Sequence, residues 1–169
     1  MTEDYFGRLC LKYRDRGALL DSNLLLLYFV GLYRPQLIGS YKRLRAYSKL
    51  DFETVNGAFR FFRKIVVTPN VLTEVSNLSF HLELHHRVPY FDAFRRAVAT
   101  LTEEFIPSIA ACEDVDLGRL GLTDTGVLRL SASGLLVLSD DLSLCSALTS
   151  RGIDSINLNH LRMARWRWI

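Results

Sequence analysis

Short apolar runs alternate along this chain with stretches of helical periodicity, and that alternation limits the fold more than any other feature of the sequence. Residues 17–20, 65–68 and 135–138 read as short buried strands, and 153–158 as a final edge strand. Strands buried on both faces belong to parallel sheets, whose crossovers need a dozen or more residues, usually a helix. The intervening segments supply them. Residues 22–32 form a helix so apolar that it must be packed on several sides, and 40–48 and 52–64 read as amphipathic helices. Residues 90–105, 124–133 and 142–150 read as further helices, and 105–111 as a third short strand. The expected class is α/β, a three-layer α/β/α arrangement with a small, mostly parallel sheet covered by helices on both faces.

Local signals place several boundaries. Pro35 interrupts the first helix. Thr68 before Pro69 is a helix start, with the hydroxyl as cap and proline where its missing N–H costs nothing. Thr123 is read as the cap of the helix from Asp124, Gly134 as its stop, and Gly152 as the C-cap of the helix ending at Ser150. No repeat or linker divides the chain, so one domain is expected over 1–169. Extra helical material lies at about 35–64, and a basic, aromatic helix or tail at about 159–169.

Composition removes several classes. Apolar residues at 49 % against 23 % charged describe a chain that folds rather than one that stays disordered. A net charge of +3 is too small to imply a polyanion partner, so any nucleic-acid surface must come from how the basic residues are distributed. Cys10, Cys112 and Cys145 are odd in number and lack metal-ligand spacing, and they read as buried apolar residues in a reducing compartment. Residues 24–33 form the longest apolar stretch, about half the ~20 residues a spanning helix needs. The N-terminus does not read as a signal peptide. The expected setting is cytoplasmic, with no membrane partner.

Four acidic residues mark transitions from strand to helix or the starts of helices: Asp21, Glu74, Asp124 and Asp141. Residues just past the carboxyl ends of parallel strands emerge on one edge of the sheet, so carboxylates far apart in sequence can share one crevice. Like charges brought together resist joint ionisation, and a divalent cation resolves the conflict. Oxygen-only donors suit Mg²⁺ or Mn²⁺, which need only a few carboxylates beside water and substrate phosphate oxygens. Each residue also has a plainer reading: Asp124 favoured by a helix dipole, Glu74 a solvated helical residue, Asp21 a turn residue.

The blocks LLDSN at 19–23, TPNVLTEV at 68–75, GLTDTGVL at 121–128 and LVLSDDLSL at 136–144 resemble, in order and spacing, the four signature blocks of PIN-domain ribonucleases. The resemblance covers nearly the whole chain. It implies a PIN-like fold and a Mg²⁺- or Mn²⁺-dependent endoribonuclease whose catalytic and metal-binding residues are Asp21, Glu74, Asp124 and Asp141. Asp140 is an alternate for the last position. Ser22, Thr123 and Ser139 are implied as supporting hydrogen bonders or helix caps. The implied substrate is RNA, with single-stranded regions favoured. Small free-standing members resemble toxins of toxin–antitoxin pairs, which adds a small inhibitory protein and a homodimer as expected partners. Chain length and the 35–64 segment depart from that toxin type. A catalytically silent PIN-fold interaction module is the alternative.

Other features carry less. His81 and His85 have a spacing that would share a helix face, but no HExxH surrounds them and the segment runs into Pro89. No GxSxG, GxxxxGK[ST] or GxGxxG occurs. Arg162, Arg165 and Arg167 beside Trp166 and Trp168 either bind an unpaired nucleic-acid strand or pack on the body or a partner, and packing is favoured because exposed indole is costly. Lys42, Arg43 and Arg45, with Arg60, Arg63 and Lys64, would guide RNA toward the acidic crevice if their helices border it.

Overall fold

The computed structural model describes residues 2–164, 166 and 168. Five strands form one all-parallel sheet: β1 (Ala18–Leu20), β2 (Ile65–Val67), β3 (Thr102–Glu103), β4 (Leu136–Ser139) and β5 (Ser155–Asn157). Their order is β3-β2-β1-β4-β5. β1 is central, pairing Ala18 with Ile65 on one side and with Leu136 on the other, and its three residues are fully buried. The chain builds outward from β1 to β3 and then returns across β1 to place β4 and β5. The strand order therefore reverses between β1 and β4, where an open parallel sheet has its crevice outside the carboxyl ends.

The helices are α1 (Thr2–Tyr13), α2 (Ser22–Tyr33), α3 (Lys49–Phe61), α4 (Pro69–Ser79), α5 (Leu84–Val98), α6 (Ser108–Cys112), α7 (Leu117–Ser131), α8 (Leu142–Ser150) and α9 (Leu158–Met163). Together with the sheet they form the expected three-layer α/β/α class. Every residue of α2 from Leu24 to Gly31 is buried, and the helix packs against α3, α4 and α5, as its all-round apolar surface demands. The buried apolar residues join into one core cluster reaching from Phe6 to Trp166. No helix among the described residues is long and apolar enough to cross a membrane.

Several boundaries differ from the sequence reading. Residues 40–48 are not an amphipathic α-helix but a strap with one 3₁₀ turn at Lys42–Leu44. Its buried residues, Tyr41, Leu44 and Tyr47, continue a three-residue spacing from Ile38 just before it, which matches three residues per turn rather than 3.6. Tyr41 fixes the strap by donating to the Leu78 carbonyl at 2.5 Å. The following helix starts earlier than expected, at Lys49, because Ser48 and Asp51 form a reciprocal capping box. α5 runs from Leu84 with Pro89 inside it, so proline costs one helical bond there without ending the helix. The third strand is Thr102–Glu103, and the segment read as strand at 105–111 holds the short helix α6 instead.

α7 joins two helical segments across a kink at Gly121 (φ 82°, ψ 173°), a conformation only glycine adopts without strain, so the segment carrying Asp124 starts just past Gly121, slightly earlier than expected. The last strand stops at Asn157, whose side chain caps α9. Cys10 is buried, but Cys112 is exposed and Cys145 half-buried, correcting the uniform expectation. Trp166 and Trp168 pack on the body, against Phe6 and Phe61 respectively. Arg165 and Arg167 lie outside the described residues, and Arg162 pairs with Asp51 at 2.7 Å.

Candidate functional site

Asp21 leaves β1 in an extended conformation and caps α2, one carboxylate oxygen accepting the Leu24 N–H at 2.8 Å. The other oxygen accepts the Ser139 hydroxyl in a short hydrogen bond and the Asp140 N–H at 3.2 Å. Its backbone N–H donates to the Leu138 carbonyl at 3.1 Å, so the residue is fixed to both central strands. Only 4 % of Asp21 is exposed. Burial, and then the neighbouring Asp140 charge, push its pKa up to about 7.

Ser139, at the end of β4, is fully buried and joins two acidic residues: its hydroxyl donates to Asp21 and accepts the Asp141 N–H at 2.9 Å. Asp140 accepts Asn23 at 3.3 Å and the Tyr47 hydroxyl in a short hydrogen bond. Burial and Asp140 raise the Tyr47 phenol well above its ordinary range, so it remains a proton donor. Asp141 turns outward and caps α8, accepting Ser143 and Leu144 N–H groups at 2.6 and 3.1 Å. Glu74, on the second turn of α4, accepts the Ser22 hydroxyl at 3.0 Å. Asp124, on α7 beyond the Gly121 bend, is half-buried, and burial followed by the charges of Asp141 and Glu74 pushes its pKa up to about 6.

Two electrostatic groups thus sit at the carboxyl edge. Asp21 feels the Asp140 charge and Asp124 feels those of Asp141 and Glu74, and Ser139, bonded to both Asp21 and Asp141, ties the groups together. None of the five forms an ion pair with lysine, arginine or histidine among the described residues. Their donors are all oxygens, the chemistry a hard cation prefers. As the side chains stand, no three His, Cys, Asp or Glu residues among those described form a metal-ligand group. Thr123 lies within α7 and is not its cap; the hydroxyl bridging the bend is Thr125, donating to the Gly121 and Leu122 carbonyls.

Tyr47 and Asn23, which position Asp140, were not foreseen. Tyr47 was visible only as the last member of the three-residue period of the strap. His81 precedes α5 instead of sharing a helix face with His85, and buried His86 bonds the Tyr33 hydroxyl at 3.0 Å. Arg60, Arg63 and Lys64 do not border the crevice. The Arg63 N–H bonds the Arg14 carbonyl and the Lys64 carbonyl accepts Ala18 N–H, placing both at the amino edge, with Arg60 on the last turn of α3 leading there. Lys42, Arg43 and Arg45 lie on the strap that ends at Tyr47, whose hydroxyl bonds Asp140, while Arg162 stacks over the Tyr47 ring. No protein-family model matches the chain, and no curated protein matches it.

Proposed function

We propose that this chain is a PIN-like, divalent-metal-dependent endoribonuclease that hydrolyses RNA phosphodiester bonds at its acidic edge. The observation that carries this reading is the collection, at the carboxyl edge beside the strand-order switch point, of carboxylates from four separate segments with no salt bridge to a basic side chain among the described residues. Folding brings these charges together at a cost, and that cost makes physical sense where a cation and a phosphate are to be held. Asp21, Glu74, Asp124 and either Asp141 or Asp140 are the residues that would hold Mg²⁺ or Mn²⁺. When bound, such an ion stabilises charge on phosphoryl oxygens and makes water a stronger nucleophile.

The protein's own part is positioning. Ser139 and the Leu24 and Asp140 N–H groups fix the Asp21 carboxylate, and Ser22 fixes Glu74. Between the two candidates for the fourth carboxylate, Asp140 faces Asp21 while Asp141 faces Asp124, so each can serve a different part of the edge. Single-stranded RNA is the favoured substrate, because unpaired bases can splay away while the backbone enters. A small antitoxin-like inhibitor and a homodimer belong to the same reading. The test is cleavage of single-stranded RNA with Mn²⁺ or Mg²⁺, abolished by chelator and by Asp21→Asn. Cleavage that persists in chelator and in the variant would overturn it.

One observation favours a second reading, a catalytically silent PIN-fold interaction module. Both Asp21 oxygens are already engaged in capping and strand contacts, and the described side chains are not gathered into a ligand shell. Calorimetric titration with Mn²⁺ separates the two: stoichiometric uptake lost in Asp21→Asn supports the nuclease, and no site-specific heat supports the module.

A further inference from the structure

Away from the acidic edge, the strap and the turn between α4 and α5 enclose a groove of about 740 Å³. Lys42, Arg43 and Arg45 line one side, and His81, Glu83 and His86 the other. The three cations are exposed and, among the described residues, pair with no carboxylate. Several arginines elsewhere are neutralised, Arg95 and Arg96 by Asp92, Arg151 by Asp114 and Asp116, and Arg162 by Asp51. Glu83 is the one carboxylate in the groove lining, and it lies 3.5 Å from His85. Burial, then His85 and Arg34, hold the His86 imidazole below its usual range.

The strap carrying these charges has two anchors. Tyr41 holds it to the end of α4, and Tyr47 holds it to Asp140. Arg45 is therefore two residues from a direct contact with the acidic edge. We propose that this groove binds the phosphate backbone of a single-stranded polynucleotide and leads it along the strap to the carboxylates. The destination rests on the nuclease reading above, whereas the binding does not. A polyanion fits better than a protein partner, because the groove offers unpaired cations and no exposed aromatic anchor, and protein hot spots centre on buried aromatics and arginines. The acidic edge repels phosphate by itself, and three adjacent cations offset that repulsion where the strand approaches.

The test uses the full chain in chelator, so that binding is read without cleavage. Labelled single-stranded RNA, DNA of the same sequence, and duplex are titrated at several salt concentrations. The proteins are wild type, the triple variant Lys42→Gln/Arg43→Gln/Arg45→Gln, and a charge-matched control, Arg95→Gln/Arg96→Gln/Arg129→Gln. The triple variant is expected to lose at least about tenfold in affinity for single strands at low salt. Its slope of log affinity against log salt should fall by about 2, from ~0.7 per phosphate contact. The control should change less than about threefold, and Arg43→Lys/Arg45→Lys should retain most of the affinity.

Equal losses in both triple variants would overturn the proposal, as would wild type failing to bind single strands. Inorganic phosphate competing as well as an oligonucleotide of equal phosphate content would reduce the groove to an isolated anion site and also overturn it. Because the groove presents charges rather than base-reading edges, RNA and DNA single strands should bind within a few-fold of each other. A groove-dependent preference above tenfold for either would refute a phosphate-only contact. Circular-dichroism melts verify folding, and Arg45→Gln alone, expected to lower the salt slope by about 0.7, replaces the triple variant if that does not fold. Groove-dependent binding without Mn²⁺-dependent cleavage would sink the nuclease reading and leave the groove; cleavage without groove dependence would do the reverse.

Discussion

Asp21→Asn removes a charge while almost preserving shape, and the surroundings of the carboxylate set both the sign and the size of the outcome. The difference between about 7 in the folded protein and the ordinary 3.8, at ~1.4 kcal/mol per pH unit, is on the order of 4 kcal/mol. The folded state binds this proton more tightly than the unfolded chain does. Its stabilising contribution is therefore complete below pH ~4 and is lost as pH rises through about 7. Asparagine does not titrate, so it escapes that loss. It can still accept the Leu24 N–H, but its amide faces Ser139 and the Asp140 N–H, leaving one donor without its acceptor. That misfit costs about 1–3 kcal/mol and does not depend on pH. Relative to the variant, wild type should thus lose on the order of 4 kcal/mol between pH 4 and pH 8 in metal-free buffer. Urea unfolding followed by far-UV circular dichroism at half-unit pH steps measures this. Parallel pH profiles for the two proteins would refute the buried, repelled carboxylate. A variant weaker by about 3–5 kcal/mol at every pH would instead indicate an uncompensated basic partner.

Arg162→Met should cost about 1–3 kcal/mol at pH 7, because Asp51, 5 % exposed, loses a two-pronged partner at 2.7 and 3.0 Å. Burial raises the Asp51 pKa, but Arg162 and Ser48 outweigh it, so this contribution is present above pH ~4 and fades below, which urea titrations at pH 7 and 3.5 would reveal. Gly57→Ala should cost about 1–3 kcal/mol in a thermal melt, since the added methyl would collide with the Trp168 indole and displace it from α3. An unchanged melt would mean Trp168 does not pack there. With a thiol reagent at pH 8, Cys112 should react first and Cys10 last, because Cys10 is buried and its thiol is pushed up to about 12; mass-mapped labelling checks the order.

The parts of the fold legible in the sequence are those dictated by nearby residues. β1 and β2 are wholly apolar runs, β4 is apolar up to its last residue, Ser139, and Thr68–Pro69 announces α4 by its own chemistry. Asp21, Ser139 and Asp141 were legible because a residue directly after a buried strand has few places to go. β3 was not: two residues, one half-buried and one exposed, carry no periodicity, and the strand exists because β2 offers an unpaired edge. The 3₁₀ strap was visible only as a three-residue period, easily taken for a helical one over nine residues. Sequence alone puts Asp141 ahead of Asp140, but the contact that fixes Asp140 is not legible there, because its partner Tyr47 lies 93 residues away.

The packing of the last described residues governs how unfolding can be watched. Trp166 sits against Phe6 on α1, and the Trp168 indole N–H donates to the Thr54 carbonyl of α3 at 2.6 Å. Contact between positions 6 and 166 closes a loop of nearly the whole chain, and from an open chain that closure costs on the order of 4 kcal/mol. Once the sheet has brought α1 and β5 together the cost is much smaller, so docking of this segment should follow sheet formation and be lost before it. The chain's two tryptophans are both there. Intrinsic indole fluorescence therefore reports the release of this segment, while the sheet and the acidic edge are followed by backbone signals. A gap between the two transitions measures how loosely the segment is coupled to the rest of the domain.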